Sequence, residues 1–182
     1  MTIVTTLPWS RPLTAADLEL MPDDGHRYEL LDGALIVTPS PVPRHQLASS
    51  RLQGLLIAAC PDDLVVLSAP CDVVLADDTV LQPDLLVTDR ASVVANRKVT
   101  APVLVVEILS PSTRMLDLHT KRARFELSGI ASYWVVDPTT PSLTAWELRD
   151  GAYAQVAHAE ADEPWTATAP YGLTVTAAEL LR

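Results

Sequence analysis

Hydrophobic residues recur along this chain with two periods, one typical of strands and one typical of helices. Residues 27–40 predict a hairpin, because two apolar arms flank a tight turn at Asp32 and Gly33. Between Pro43 and Pro61 the spacing of the leucines predicts a helix of three or four turns. The face that it buries should carry the leucines at 47, 52, 55 and 56.

The middle of the chain alternates strands with one further helix. Strands are predicted at 64–68, 71–87 (a second hairpin with its turn at 76–79), 103–109 and 131–137. Asp84 would lie on the return arm of that hairpin. Residues 116–129 predict a helix that Gly129 ends in a left-handed cap. The central elements therefore follow the order α-β-β-β-α-β.

Shorter elements flank this core on both sides. A helix with Thr14 as its N-cap precedes the first hairpin, and a third hairpin, a strand and a closing helix end the chain. A length of 182 residues with 48% hydrophobic residues suits one α/β (α+β) domain with a central mixed sheet flanked by helices. We expect a single domain, 1–182, with its core at about 43–137, an N-terminal helix and hairpin at 13–39, and C-terminal elements at 143–181.

Two carboxylates interrupt the most apolar strands. Asp84 lies in PDLLV and Glu107 in VLVVEIL, where an ionised carboxylate without a partner would cost several kcal/mol. A shared divalent cation would compensate both, because carboxylate oxygens suit Mg²⁺ or Mn²⁺. The structural alternative is that backbone amides or an ion pair satisfy the two carboxylates without metal.

Charge is unevenly distributed along the chain. The net charge of −10 argues against a protein that coats nucleic acid with a basic surface. Residues 90–124 nevertheless carry seven basic and two acidic groups, a net charge of +5. Such a segment can attract a phosphodiester backbone, and we predict DNA contacts at Arg97, Lys98 and Arg114. The alternative is a solvated loop and helix face.

One lysine of the helix predicted at 116–129 should face the core. At about 100° per residue from Leu118, Lys121 and Arg122 fall on the same face as Phe125. A lysine directed at the core requires an anion, and the two buried acids are available. Two alternatives stay open, because Arg122 is similarly placed and Lys121 could extend past the core edge to solvent.

Several short motifs accompany these acids. They are YELLDG, PRHQ, the Pro83-Asp84 pair, VEILSPST, the helix that carries Lys121, and YWVVDP. In this combination the chain resembles the Uma-two family of restriction endonucleases, within the PD-(D/E)XK nuclease-like superfamily. The resemblance covers residues 10–181, and VEILSPST followed by DLHTKR is its most specific part. It implies a restriction-endonuclease-like αβββαβ core, in agreement with the order of elements.

The resemblance also implies metal-dependent cleavage of DNA. By similarity, Asp84 and Glu107 would bind Mg²⁺ or Mn²⁺, with the backbone carbonyl of Ile108 as a third ligand. The superfamily commonly places a lysine two residues after the glutamate, where this chain has Leu109. The catalytic cation would then be Lys121 from the following helix.

Three further residues are weaker site candidates. Glu29 could reach the metal from the first hairpin, or it is an exposed strand carboxylate. His45 begins the first long helix, where a lone histidine is more often structural than catalytic. Arg122 could replace Lys121 as the cation.

Together with the buried acids, the resemblance implies a DNA endonuclease that depends on Mg²⁺ or Mn²⁺ and hydrolyses phosphodiester bonds. The alternative is a non-catalytic binding or assembly module on a decayed nuclease fold, which the acidic surface and the missing strand lysine favour. We expect DNA as the partner, no membrane contact and a cytoplasmic location, because neither a leader nor an apolar run of about 20 residues is seen. A homodimer would suit double-strand cleavage, since one site cuts one strand.

Overall fold

Three β-sheets position the elements of the chain in the computed structural model, which describes residues 11–38, 40–95 and 98–182. The strands are β1 (Arg27–Leu31), β2 (Ala34–Thr38), β3 (Leu64–Ser68), β4 (Val73–Ala76), β5 (Thr79–Leu81), β6 (Leu85–Asp89), β7 (Leu104–Ile108), β8 (Ser132–Asp137), β9 (Ser142–Arg149), β10 (Ala152–Glu160), β11 (Trp165–Ala167) and β12 (Leu173–Val175). The helices are α1 (Ala15–Leu18), α2 (Pro43–Ala59), α3 (Arg90–Ala95) and α4 (Arg122–Leu127), with a π-helical segment at Leu116–Lys121 and a 3-10 turn at Glu179–Leu181.

The N-terminal hairpin forms as the sequence predicts. β1 pairs antiparallel with β2, and both turn residues, Asp32 and Gly33, have positive φ. A side chain at position 33 would also collide with Pro12, so glycine is required there for space as well as for backbone conformation. Before the hairpin, the carboxylate of Asp17 accepts a hydrogen bond from the backbone N–H of Thr14 at 2.8 Å, which caps α1 at the predicted residue.

The helix α2 also lies close to its predicted bounds and ends before Pro61. Its buried residues are His45, Ala48, Ser49, Leu52 and Leu56. Leu47, predicted on the buried face, is instead 38% exposed, so that part of the prediction is wrong. The buried stripe follows three- and four-residue steps from His45, and Leu47 lies off that stripe.

The second predicted hairpin is divided between two sheets. β4 pairs with β5 in the sheet of order β2-β1-β5-β4. Pro83 has no N–H to donate to a ladder, and the chain leaves this sheet after Leu81 and enters the next one at Leu85. Asp84 therefore lies just before a new strand, and its predicted place on the return arm is wrong.

The six-stranded sheet has the order β10-β9-β8-β7-β6-β3. β7 and β8 are parallel, joined by the π-helical segment and α4, and the other neighbouring strands are antiparallel. The elements α2, β3, β6, β7, α4 and β8 form the predicted αβββαβ core. The fold class predicted from the sequence is confirmed.

The two faces of this sheet pack against different elements. Successive residues of β7 point to opposite faces. Val106 and Ile108 belong to an apolar core that includes buried residues of α2 and β12. Val105 and Leu109 belong to a second core with Phe125 of α4. Glu107 has the parity of Val105 and Leu109, so its carboxylate points to the second face.

The C-terminal hairpin of β9 and β10 turns at Asp150 and Gly151, as predicted. Beyond it, β11 pairs with β12 although only one strand was predicted, and the closing helix is a single 3-10 turn. Strands of three residues are too short to show a period in the sequence. None of the helices in the described part of the chain has the length and apolar character needed to span a bilayer.

Candidate active site

Asp84 begins the site at the start of β6. Its Oδ2 accepts hydrogen bonds from the backbone N–H of Ile108 at 2.8 Å and from Nε2 of His45 at 3.0 Å. Its Oδ1 accepts one from the guanidinium of Arg27 at 3.0 Å. Burial alone would raise the pKa of Asp84, but the hydrogen bond from His45 and the charge of Arg27 lower this pKa below its ordinary value.

Glu107 meets a lysine and a second glutamate in the protein interior. The Nζ of Lys121 lies 3.1 Å from Oε1 of Glu107 and 2.9 Å from Oε1 of Glu29. Glu107 is 1% exposed, and the other two side chains are fully buried. Burial raises the pKa of Glu107 well above its ordinary value, although Lys121 acts against this rise. Burial would lower the pKa of Lys121, but Glu107 and Glu29 reverse this effect and raise it.

A further acid, Asp117, comes from the same π-helical segment as Lys121. Its Oδ1 lies 3.6 Å from Nζ of Lys121, and within the described structure this buried oxygen accepts no hydrogen bond. Burial raises the pKa of Asp117 above its ordinary value. The hydroxyl of Tyr133 donates to the backbone carbonyl of Asp117 at 2.8 Å and so holds the segment in place. π-helical turns occur frequently at functional sites.

The cluster contains more acids than cations. Glu29, Asp84, Glu107 and Asp117 are countered by Lys121 and Arg27. The Nε of Arg27 lies 3.7 Å from Glu29, and the backbone N–H of Gln82 donates to the same carboxylate at 2.8 Å. Buried carboxylates so close together cannot all remain charged without further positive charge. The cluster therefore favours either a bound proton or a bound cation.

A cavity of about 890 Å³ opens beside Asp84. Arg27, His45 and the turn at 110–113 contribute to its wall. Of the four acids, all within the described part of the chain, Asp84 alone lines the cavity. A ligand in the cavity can therefore reach Asp84 directly, whereas Glu107 and Lys121 are buried and do not line the cavity.

Comparison with known proteins identifies the family. The family model of Uma2, described as "Putative restriction endonuclease", matches residues 15–178. The chain belongs to this family. Its fold is similar to the crystal structure of "a putative nuclease belonging to DUF820" from Anabaena variabilis ATCC 29413, with a TM-score of 0.73, 17% identity, and coverage of 93% of this chain and 98% of that chain. A search of curated proteins finds no match.

In this Uma2 protein the residues predicted as catalytic, Asp84, Glu107 and Lys121, lie in one cluster. Two of the weaker candidates, Glu29 and His45, belong to the same cluster. Glu29 is buried rather than exposed, and Lys121 does not extend to solvent. Arg122 contacts Trp146 instead of the acids, and its guanidinium carbon lies 4.9 Å from the centre of that ring. The chemical roles of these residues stay predictions.

The predicted DNA contacts are paired with acids where the structure describes them. Lys98 lies 2.7 Å from Glu19, and Arg114 forms an ion pair with Asp137. Arg97 lies outside the described residues. These partners offset the positive charge that the basic segment shows in the sequence.

Sequence reasoning missed Arg27 and Asp117. Arg27 lies two residues before Glu29 on the same strand, and the strand period of two was a signal that both side chains share one face. Asp117 precedes Lys121 by four residues, a spacing at which helical side chains meet.

The carboxylates of the two predicted metal ligands contact cations of the protein: Asp84 contacts Arg27, and Glu107 contacts Lys121. Among the described residues, no group of three or more His, Cys, Asp or Glu side chains has the arrangement of a metal site. Ile108 presents its backbone N–H to Asp84. The backbone carbonyl of Ile108 as a third ligand stays a prediction.

Proposed function

We propose that this Uma2 protein is a metal-dependent endonuclease that hydrolyses phosphodiester bonds of DNA. The observation that carries the proposal is the group of four buried acids: Glu29, Glu107 and Asp117 surround Lys121, and Asp84 lies at the wall of the cavity. Buried charges in excess are costly, and a fold that needed only stability would gain from apolar residues at these positions. Family membership supports a nuclease, and the geometry supports this site within it.

The residues present fit a divalent cation in charge and in donor type. The acids outnumber the cations, Asp117 has an oxygen without a hydrogen-bond partner, and carboxylate oxygens are the ligands that Mg²⁺ and Mn²⁺ prefer. Asp84, Glu107 and the carbonyl of Ile108 would hold the ion. Such an ion polarises a phosphoryl oxygen and lowers the pKa of bound water.

The protein's own residues would orient this site. Lys121 holds Glu107 and Glu29 at hydrogen-bonding distance and supplies the positive charge that the chemistry requires close to Glu107. His45 fixes one oxygen of Asp84, and Arg27 fixes the other from the cavity side. A phosphate that entered the cavity would therefore meet Arg27 next to Asp84.

One observation favours the second candidate, a non-catalytic binding or assembly module. Arg27, His45 and Lys121 already satisfy the carboxylates of Asp84 and Glu107, so that the cluster is held together by protein groups alone. In such a module the acids and cations would only stabilise the fold.

Nicking of supercoiled plasmid separates the two functions. We expect the wild type to nick the plasmid in Mg²⁺ but not in EDTA. The nicking rate of Glu107→Gln should be lower than that of the wild type by roughly 10²-fold or more. Glu147→Gln is the matched control, because Glu147 is a half-buried carboxylate of β9 paired with Arg149. It should nick at the wild-type rate. A purified wild type that does not nick in Mg²⁺ or Mn²⁺, or a Glu107→Gln variant as fast as the control, would favour the non-catalytic module.

A homodimer and a cytoplasmic location belong to the same proposal. Two copies related by a two-fold axis could cut both strands of a duplex. Sedimentation with and without DNA would measure this association.

A further inference from the structure

The wall of the cavity that α2 supplies is polar but uncharged over most of its length. Five of its residues line the cavity at three- and four-residue steps: His45, Gln46, Ser49, Ser50 and Gln53. None is lysine, arginine, aspartate or glutamate. Amide and hydroxyl groups offer both donors and acceptors, which suits the edges of nucleotide bases better than phosphates.

An aromatic residue also lines the cavity. Tyr28 lines the cavity, its hydroxyl donates to Asp24 at 2.8 Å, and its ring lies 6.3 Å from that of His26. Aromatic side chains next to a backbone-binding site are typical of proteins that bind single strands, because unpaired bases stack on them.

The charge of the surface argues against binding through the phosphates of a duplex. Six surface cations of the described residues are paired with acids, and four described arginines form no ion pair with an acid. The paired ones are Arg11, Lys98, Arg114, Arg124, Arg149 and Arg182, and the others are Arg44, Arg51, Arg90 and Arg122. A protein that tracks duplex DNA neutralises roughly six to ten phosphates, and its cations must be available for that purpose. The cavity itself carries Asp23, Asp72 and Asp84 against Arg27 and two histidines.

We propose that this cavity binds single-stranded DNA, with bases against the α2 wall and Tyr28 and one phosphate at Arg27. The proposal rests on the proposed nuclease function for its choice of nucleic acid. From position 45 to position 53 the helix rises about 12 Å, a length that suits a short run of nucleotides. The substrate of the site is then an unpaired segment rather than an intact duplex.

Binding without cleavage tests this proposal. Fluorescence anisotropy in EDTA would compare a labelled 12-nucleotide single strand with the duplex of the same sequence, for the wild type and two variants. The first variant is Gln46→Ala combined with Gln53→Ala, on the cavity wall. The matched control is Arg51→Ala, because Arg51 is an exposed cation of the same helix that does not line the cavity.

We expect the wild type to bind the single strand at least about tenfold more tightly than the duplex. The double glutamine variant should lose about tenfold in affinity for the single strand, and Arg51→Ala should lose less than about twofold. Between 50 and 200 mM salt the affinity should fall by less than about 10²-fold, below the loss typical of duplex tracking. Thermal melting would confirm that the variants are folded.

Three results would overturn the proposal: equal or tighter binding of the duplex, a larger loss from Arg51→Ala than from the glutamine variant, or a folded glutamine variant with wild-type affinity. The nuclease function fails separately. If the single strand binds as expected but is not cut in Mg²⁺ or Mn²⁺, the cavity assignment stands without catalysis. If the protein cuts but prefers duplex, the nuclease function stands and the single-strand proposal is wrong.

Discussion

The two faces of the six-stranded sheet are formed by the same strands and both bury apolar residues, but the second face also encloses a cluster of charged side chains. Toward α2, β7 presents Val106 to an apolar core that includes Leu52 and Leu56. One residue later, Glu107 points to the other face, where Lys121 and two further acids are enclosed. Because neighbouring residues of one strand serve both faces, a shift of one residue in its register would exchange them.

Apolar burial stabilises both faces, whereas the proposed chemistry belongs to the charged cluster of the second face. Apolar burial stabilises a protein by about 25 cal/mol for each Å² removed from water. A buried ion pair is often no more stable than apolar residues of the same volume, whereas removal of one partner is strongly destabilising. We therefore expect the α2 face to respond to lost volume and the acid face to respond to lost charge balance.

The largest effect should come from Lys121→Met. It leaves Glu29, Glu107 and Asp117 without their shared cation, and we expect the free energy of unfolding to fall by about 3–5 kcal/mol. Urea denaturation would measure this loss. A second substitution, Glu29→Gln, should restore part of the stability because it removes one of the unpaired charges. If Lys121→Met alone is as stable as wild type, Lys121 does not neutralise buried negative charge on this face, and the contrast between the two faces fails.

On the other face, Leu52→Ala should cost roughly 3 kcal/mol, because Leu52 is fully buried in the apolar core. Mg²⁺ should still raise the melting temperature of this variant by as much as that of the wild type, since no member of the acid cluster has changed. A variant that loses the Mg²⁺ response along with stability would show that the two faces are coupled.

A smaller effect should appear in the pH dependence of stability. Glu107 has a raised pKa in the folded protein, so the unfolded chain releases this proton first and stability falls as pH rises above the ordinary value of 4.5. Asp84 has a lowered pKa, so its contribution is present above its ordinary value of 3.8 and is lost as pH falls below it. Glu107→Gln should therefore flatten the decline above pH 4.5 and leave the acid limb unchanged. Thermal melts between pH 3 and 8 would measure both limbs.

The sequence was most informative where a residue breaks an apolar pattern. Asp84 and Glu107 were found because they interrupt strands, and Lys121 because it falls on the apolar side of a helix. Arg27 was not found, since its strand is only half-buried at that end and the pattern there is weak. The two outer hairpins were predicted because their turns carry Asp-Gly pairs. The order of the central elements was predicted from the periods of their apolar residues.

The rest of the site depends on tertiary contacts that no local pattern contains. The chain changes sheets at Pro83, which places Asp84 beside the backbone of Ile108, 24 residues later. A regular helix was assumed for the region around Lys121, but Leu116–Lys121 is π-helical. Neither feature follows from a period of two or of 3.6 residues.

Anomalous diffraction from crystals soaked in Mn²⁺ tests the central claim most directly, namely that the acid face holds a divalent cation. We predict one peak within about 2.5 Å of a carboxylate oxygen of Asp84 and of Glu107, close to the carbonyl of Ile108. The peak should be absent from crystals of Glu107→Gln soaked in the same way. A wild-type crystal that binds Mn²⁺ at other surface carboxylates but shows no peak between Asp84 and Glu107 would contradict the account.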